Sequence, residues 1–294
     1  MTSNAQRFMN GFARYVQKPT LAMVAHQPTL SRIFDGTAAL LYRRLPGCAQ
    51  RFTFFDTYRI RRMIPKGAGE NLLLYFHGGG FCIGSSFTHR WLAARLAAQI
   101  GAQAWVVDYR LAPANPFPAA QEDCLAAYRH ALDHYPAERI VVAGDSAGGG
   151  LGLSLCVRLL AEGLPLPAAL GLLSPLADLS GQFESRKSFR DTDMILPASW
   201  VDRALAHYLD GHDPKDPNIS PAFADLSAMP PVALHWATGE MVAGDAEFLA
   251  QVLPAVECHE AEDVPHVWQL AAGWTPEADL SVEKMATYLR THLP

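Results

Sequence analysis

From residue 72 onward, short apolar runs alternate with longer amphipathic stretches, and this alternation leaves the chain few folds to choose from. Residues 72–76, 104–108, 139–143 and 170–173 have strand length, and residues 90–100, 121–135 and 149–161 between them carry helical periodicity. Strands joined through helices lie parallel, because a parallel pair needs a crossover of about a dozen residues or more. The near-continuous apolar character of the runs further predicts a sheet covered on both faces. Upstream, the β-rich runs 51–55 and 58–64 flank Asp56-Thr57, which predicts an antiparallel hairpin. The alternation stops over 177–221, a polar stretch with Gly181, Gly211, Pro214, Pro217 and Pro221 that holds one clear helix, 197–209, opened by proline. That stretch reads as an insertion. Strand, helix and strand resume at 232–237, 246–252 and 256–259, and an amphipathic helix over 280–292 closes the chain. The expected class is α/β, with about eight mostly parallel strands and helices on both faces.

Composition removes several kinds of partner. A net charge of −5 over 294 residues leaves no basic footprint for nucleic acid. Cys48, Cys82, Cys124, Cys156 and Cys258 are scattered without a C-x-x-C pair, which argues against a disulfide framework or a zinc site and for a reduced, cytoplasmic protein. No apolar run approaches the roughly 20 residues of a spanning helix, so no membrane partner is expected. Residues 1–34 hold Arg7, Arg14, Lys18 and Arg32 and no acid. Phe8, Phe12 and Tyr15 recur there at helical spacing, so this segment is expected to dock on the protein's own surface as an amphipathic helix.

A parallel sheet puts its chemistry at the C-terminal strand ends. The run ending at Ala143 leads into Gly144-Asp145-Ser146-Ala147-Gly148-Gly149, a G-x-S-x-G pattern between strand and helix that holds a strained, exposed serine. Ser146 is the expected nucleophile. A phosphate loop is the rival for such a turn, but no Gly-Lys-Ser/Thr comes after it and the glycine spacing misses G-x-G-x-x-G. After Phe76 comes His77-Gly78-Gly79-Gly80, whose backbone can approach a ligand closely. Gly79, Gly80 and Ala147 are the expected oxyanion-hole donors. With the chain order serine, acid, histidine, only His259, His266 and His292 can serve as base. His259 falls in a strand and His292 at the terminus, whereas His266 lies in a loop after the last strand. For the acid, Glu240 after residues 232–237 is preferred, Asp245 would suit a helix N-terminus, and Asp178 after the preceding strand is a third candidate.

His77-Gly-Gly-Gly-Phe81 with Gly84-Ser85, Asp108-Tyr-Arg-Leu-Ala-Pro113, Gly144-Asp-Ser-Ala-Gly-Gly149, Asp216-Pro-Asn-Ile-Ser-Pro221 and Pro265-His266 occur in one order from Leu72 to the C-terminus. In this the chain resembles the hormone-sensitive-lipase-like carboxylesterases of the α/β-hydrolase fold, also called bacterial family IV esterases. The resemblance implies a Ser146–Glu240–His266 triad, no metal or organic cofactor, and hydrolysis of small soluble esters with short to medium acyl chains. It implies a cap made of residues 1–48 and the 177–221 insertion on a catalytic domain spanning 49–294, and it leaves a homodimer open without specifying an interface. It also implies that Tyr109-Arg-Leu-Ala-Pro113 braces the glycine loop. Ala114 departs from the acid many relatives carry there, and members differ between Asp and Glu at the triad acid. Phe81, Phe87, Trp91, Trp200 and Tyr208, with Phe8, Phe12 and Tyr15, are candidate walls of an apolar pocket. Amide, lactone or carbamate hydrolysis by the same residues, and a non-catalytic ligand-binding protein on this fold, are the alternatives.

Overall fold

A computed structural model describes residues 2–294. The chain opens with helix α1 (Asn4–Phe12), a π-helical turn (Ala13–Gln17), α2 (Lys18–Met23) and α3 (Gln27–Leu41). Next come β1 (Ala49–Phe54), β2 (Arg59–Ile64), β3 (Asn71–Phe76), α4 (Ser86–Gln99), β4 (Ala102–Asp108), α5 (Ala119–Leu132), β5 (Ile140–Asp145), α6 (Ala147–Glu162) and β6 (Ala169–Leu173). The short α7 (Ser185–Ser188) and α8 (Ala198–Leu209) precede β7 (Val232–Ala237), α9 (Ala243–Val252), β8 (Val256–Ala261) and α10 (Pro276–Thr291). The eight strands form one sheet in the order β1-β2-β4-β3-β5-β6-β7-β8. Only β1–β2 and β2–β4 are antiparallel, and every other pair is parallel, joined through helices as the alternation requires. Among the described residues no helix is long and apolar enough to cross a membrane.

Period-two alternation divides the core between the two faces. On β3, Leu72, Leu74 and Phe76 pack with Leu125 and Tyr128 of α5 and Leu155 of α6, while Leu73 and Tyr75 join Leu92 and Leu96 of α4 and Met285 and Leu289 of α10. Both layers are closed to water. In the centre, Phe76 of β3 pairs with Gly144 of β5, so the segments leaving these two strands emerge side by side. This register places His77 and Ser146 at one end of the sheet.

Three helix starts and one docking face differ most from the sequence expectation; α9 and α10 begin at Ala243 and Pro276, three and four residues early. Helix α4 starts at Ser86, four residues before the expected start, because Ser85 and Thr88 form a capping box that satisfies the first N–H groups. The N-terminal helix docks by the opposite face to the one expected: Gln6, Ala13, Gln17 and Leu21 are buried, whereas Phe8 is 68% and Tyr15 75% exposed. Polar anchors fix this orientation. The Ser3 N–H and hydroxyl donate to Glu277 at 2.5 and 2.8 Å, and Asn10 Nδ2 donates to the Asp263 carbonyl at 2.8 Å. Phe8 and Tyr15 are therefore excluded as pocket walls.

Candidate active site

Strand β5 delivers Ser146 in a backbone conformation of φ 51°, ψ −122°, outside the regions an L-residue prefers, and such strain costs on the order of 1–3 kcal/mol. Neighbouring strands hold it in place. The Ser146 N–H donates to Leu173 O at 2.8 Å and its carbonyl accepts from Leu176 N at 3.0 Å. Helix α6 can start at Ala147 only because Gly148 lacks a side chain: a Cβ there would lie 2.6 Å from the His77 carbonyl oxygen and collide with that of Phe76.

The loop after β3 turns through Gly79 at φ 116°, where a Cβ would come within 2.7 Å of the Ile83 carbonyl carbon. Gly78, Gly79, Ser146 and His266 line one cavity, and Gly80 faces Ser146 across an adjoining one beside Trp200. Among the described residues the N–H groups of Gly79, Gly80 and Ala147 donate to no acceptor in the protein. Gly79 and Gly80 thus bring two unspent donors to the cavities that Ser146 lines, and Ala147 supplies a third from the position next to it in the chain. The loop is braced from behind: Tyr109 Oη donates to His77 O at 2.6 Å, and its ring stacks on the His77 imidazole with centroids 4.3 Å apart. Burial, with His89 nearby, pushes the His77 pKa down to about 4, so this imidazole is neutral at physiological pH. Ala114 offers no carboxylate, and Asp123 secures the segment after β4 instead, accepting from Arg110 N at 2.8 Å and from Arg110 Nε at 2.9 Å.

His266 lies in the loop after β8 and Glu240 in the loop after β7, both buried. His266 Nδ1 lies 2.8 Å from Glu240 Oε2, and Glu240 Oε1 accepts from Ala237 N at 3.3 Å. Burial alone would lower the His266 pKa, but Glu240, with Asp193 and Asp145 farther off, raises it above the ordinary imidazole value. With Nδ1 engaged, Nε2 faces the cavity, and no hydrogen bond joins it to the Ser146 hydroxyl in this structure. Catalytic hydrogen bonds are often long without substrate and tighten when it binds.

The other two acid candidates point elsewhere. Asp245 is buried in the first turn of α9, where it accepts from Ala177 N at 2.8 Å and Asp178 N at 2.7 Å and pairs with Arg186 at 3.2 Å. Asp178 spends its oxygens on its own loop, accepting from Ser180 N and Gln182 N at 2.8 Å each. The sequence reading missed Asp193. Buried in the segment before α8, it accepts from Ile195 N, Leu196 N and Met241 N, all at 2.8 Å, and so ties the inserted segment to the residue after Glu240. Its local part, an Asp bonding the backbone two and three residues on, is a turn signal readable in sequence. Its link to Met241 is not.

The other walls of the cavity beside Ser146 are apolar on the side of Leu21, Phe34, Ile83, Ile195, Leu196, Trp200 and Leu270, while Thr88, His89 and Asp145, with Gln17 and Tyr42, add polar groups. Of the expected wall aromatics only Trp200 lines it. Phe81 and Tyr208 stack on each other with centroids 3.8 Å apart. Among the described residues no cluster of three or more His, Cys, Asp or Glu could hold a metal ion.

Residues 73–270 match the model of a family described as having the alpha/beta hydrolase fold. The chain is 37% identical over 232 residues to an acetyl-hydrolase of Streptomyces hygroscopicus, covering 77% of this chain and 78% of the relative. It is 30% identical over 234 residues to an esterase of Acinetobacter venetianus, covering 76% of each. Among solved structures, an esterase of the bacterial hormone-sensitive lipase family superposes over 100% of both chains with a TM-score of 0.93 at 31% identity. The hormone-sensitive-lipase homologue EstE7 from a metagenome library does so over 100% of both with a TM-score of 0.90 at 33% identity.

Proposed function

The chain belongs to the hormone-sensitive-lipase-like family of α/β-hydrolase-fold esterases and is a carboxylic ester hydrolase, and we propose that it works through an acyl-enzyme formed on Ser146. The observation that carries this reading is that Ser146 shares one cavity with Gly79 and with His266, whose Nδ1 is held by the buried Glu240, and an adjoining one with Gly80. Glu240 accepts the Nδ1–H of His266 and fixes the tautomer in which Nε2 is the base. Nε2 takes the proton of Ser146 as Oγ attacks the ester carbonyl, and the resulting oxyanion is held by the N–H groups of Gly79, Gly80 and Ala147. When the tetrahedral intermediate collapses, His266 gives that proton to the departing alkoxide. Water then attacks the acyl-enzyme with His266 again as base, releasing the acid and restoring Ser146.

In this proposal the N-terminal helices and the inserted segment act as a cap, since Leu21, Phe34, Ile195, Leu196 and Trp200 come from them and face the cavity. These apolar side chains suit the acyl chain of a small soluble ester. A panel of p-nitrophenyl esters graded by acyl length is expected to give its highest kcat/KM at short to medium chains and to decline beyond. No turnover of the acetate or butyrate, with no organophosphate adduct on Ser146, overturns the proposal. Matched amide, lactone and carbamate substrates run beside the esters separate those chemistries from ester hydrolysis.

The pH dependence is set by His266. The base must be neutral, and its pKa is raised, so kcat/KM should fall as pH drops through a value above the roughly 6.5 of a free imidazole. Glu240→Gln removes the charge that raises it, so whatever activity survives should show an acid limb displaced to lower pH. An acid limb unmoved by that substitution would separate Glu240 from the base.

A further inference from the structure

We propose that the outward face of the N-terminal helices docks on an anionic lipid surface, so that the cap meets a membrane on one side and the ester cavity on the other. The inference rests on the esterase reading and adds to it the place where substrate is met. Its starting point is the reversed docking of the first helix. Phe8, Tyr15 and Met23, at 68%, 75% and 76% exposure, stand in water on the helical run 4–23, while Gln17 and Leu21 of the same run line the cavity. Leu40 of α3 is 83% exposed. Phe8, Tyr15 and Met23 stand opposite the buried Gln6, Ala13, Gln17 and Leu21, which marks the outward side of this helical run as a contact surface.

Charge selects the occupant. Residues 1–34 carry four basic side chains and no acid, so the remaining residues carry a net charge of −9, the total of −5 less +4. Arg7, Arg14 and Arg32 are exposed and, among the described residues, make no ion pair. Lys18 is turned inward, donating to the carbonyls of Asp191 and Asp193 at 2.9 and 2.7 Å. Of the acids nearby, Asp35 accepts from Ser85 Oγ at 3.0 Å and the Asp263 carboxylate accepts from Thr2 Oγ1 at 2.7 Å. Arg7 adjoins Phe8, and Arg14 adjoins Tyr15. A face of aromatic and aliphatic side chains edged with arginine is what lies in the headgroup region of an anionic bilayer, with Tyr at the polar boundary. A second copy fits less well, because a two-fold interface through this face would set the arginines of one copy against those of the other.

The test is sedimentation of the full-length protein with vesicles of phosphatidylcholine alone, or of two parts phosphatidylcholine to one part phosphatidylglycerol. Each basic side chain near an anionic surface strengthens binding about fivefold, so three should favour the anionic vesicles about a hundredfold at low salt, and salt should erase the difference. Phe8→Ser with Tyr15→Ser, and separately Arg7→Glu with Arg14→Glu, should each lower partitioning at least tenfold. Neither pair touches the site, so turnover of soluble p-nitrophenyl butyrate should stay unchanged while hydrolysis of an ester dissolved in the anionic vesicles falls. Equal partitioning of wild type and both variants overturns the proposal, as does wild-type protein that stays in the supernatant with every vesicle while hydrolysing the soluble ester. Concentration-dependent dimerisation abolished by Phe8→Ser with Tyr15→Ser would assign the face to a second copy instead. A protein that binds vesicles but hydrolyses no ester would leave the docking standing and remove the catalytic reading, so the two failures are distinct.

Discussion

Replacing Ser146 by alanine is expected to lower kcat on p-nitrophenyl butyrate by about a million-fold while moving Tm by no more than about 2 °C. The first magnitude is that seen when a serine nucleophile is removed from a triad whose members act as a unit, where the activity left comes from the oxyanion donors and binding alone. The second reflects what the side chain does in the free protein. Among the described residues the Ser146 hydroxyl makes no hydrogen bond, and the hydrogen bonds that hold the turn run through its backbone N–H and carbonyl, which alanine keeps. The strained φ of 51° is imposed by β5, α6 and the Leu173 carbonyl, so alanine inherits it at similar cost. Kinetics, a thermal melt and mass measurement after organophosphate treatment together check the expectation: the variant should be folded, inactive and unlabelled. A folded variant retaining a tenth of wild-type kcat would show that another group attacks the carbonyl.

Much of the frame behind that prediction is legible in the sequence, for a physical reason. Each inner parallel strand is buried on both faces, and β3 to β5 are each succeeded by a crossover helix, so the apolar run and its turn stand out, and the handedness and shortness of connections restrict strand order. Glycines at 78–80 and 144–150 mark where two backbones pass too closely for side chains, which is why the glycine loop and the elbow are readable as neighbours. The unreadable part comes from elsewhere. Helical spacing of Phe8, Phe12 and Tyr15 announces a two-faced helix, but the pattern is silent about which face meets the protein. Here Ser3 and Asn10 decide, through partners more than 250 residues away. The π-helical turn Ala13–Gln17 also changes the phase, so an α-helical wheel misplaces the residues of α2 beyond it. Asp193 escapes for a similar reason: its bond to Met241 joins two segments 48 residues apart, and nothing near either one records the other.

Separating the three acids gives the sharpest contrast in the molecule, because one should cost rate and another stability. Glu240→Ala is expected to lower kcat about 10⁴-fold: without the carboxylate 2.8 Å from Nδ1, His266 loses the partner that sets its tautomer and stabilises the imidazolium formed during attack. Asp245→Ala should act on the fold. Asp245 is buried, its pKa pushed up to about 6 by that burial although Arg186 pulls it down, and its oxygens take two backbone N–H groups and the guanidinium. Deleting it leaves Arg186 buried with its Nε and Nη1 already unpartnered, and breaking a buried pair from one side costs about 3–5 kcal/mol. For a protein of this size that corresponds to a fall in Tm of roughly 6–20 °C. Asp178→Ala, which loses hydrogen bonds confined to its own loop, should be milder on both counts. The segment that Asp245 holds begins just beyond β6, whose Leu173 carbonyl anchors Ser146, so some loss of kcat should accompany the loss of Tm, but cooling the assay well below the new Tm should recover most of it. No change of temperature should recover Glu240→Ala, since its loss lies in the transition state and not in the folded fraction. A cold, well-folded Asp245→Ala that stays crippled beside a near-normal Glu240→Ala would transfer the role of triad acid from the loop after β7 to the first turn of α9.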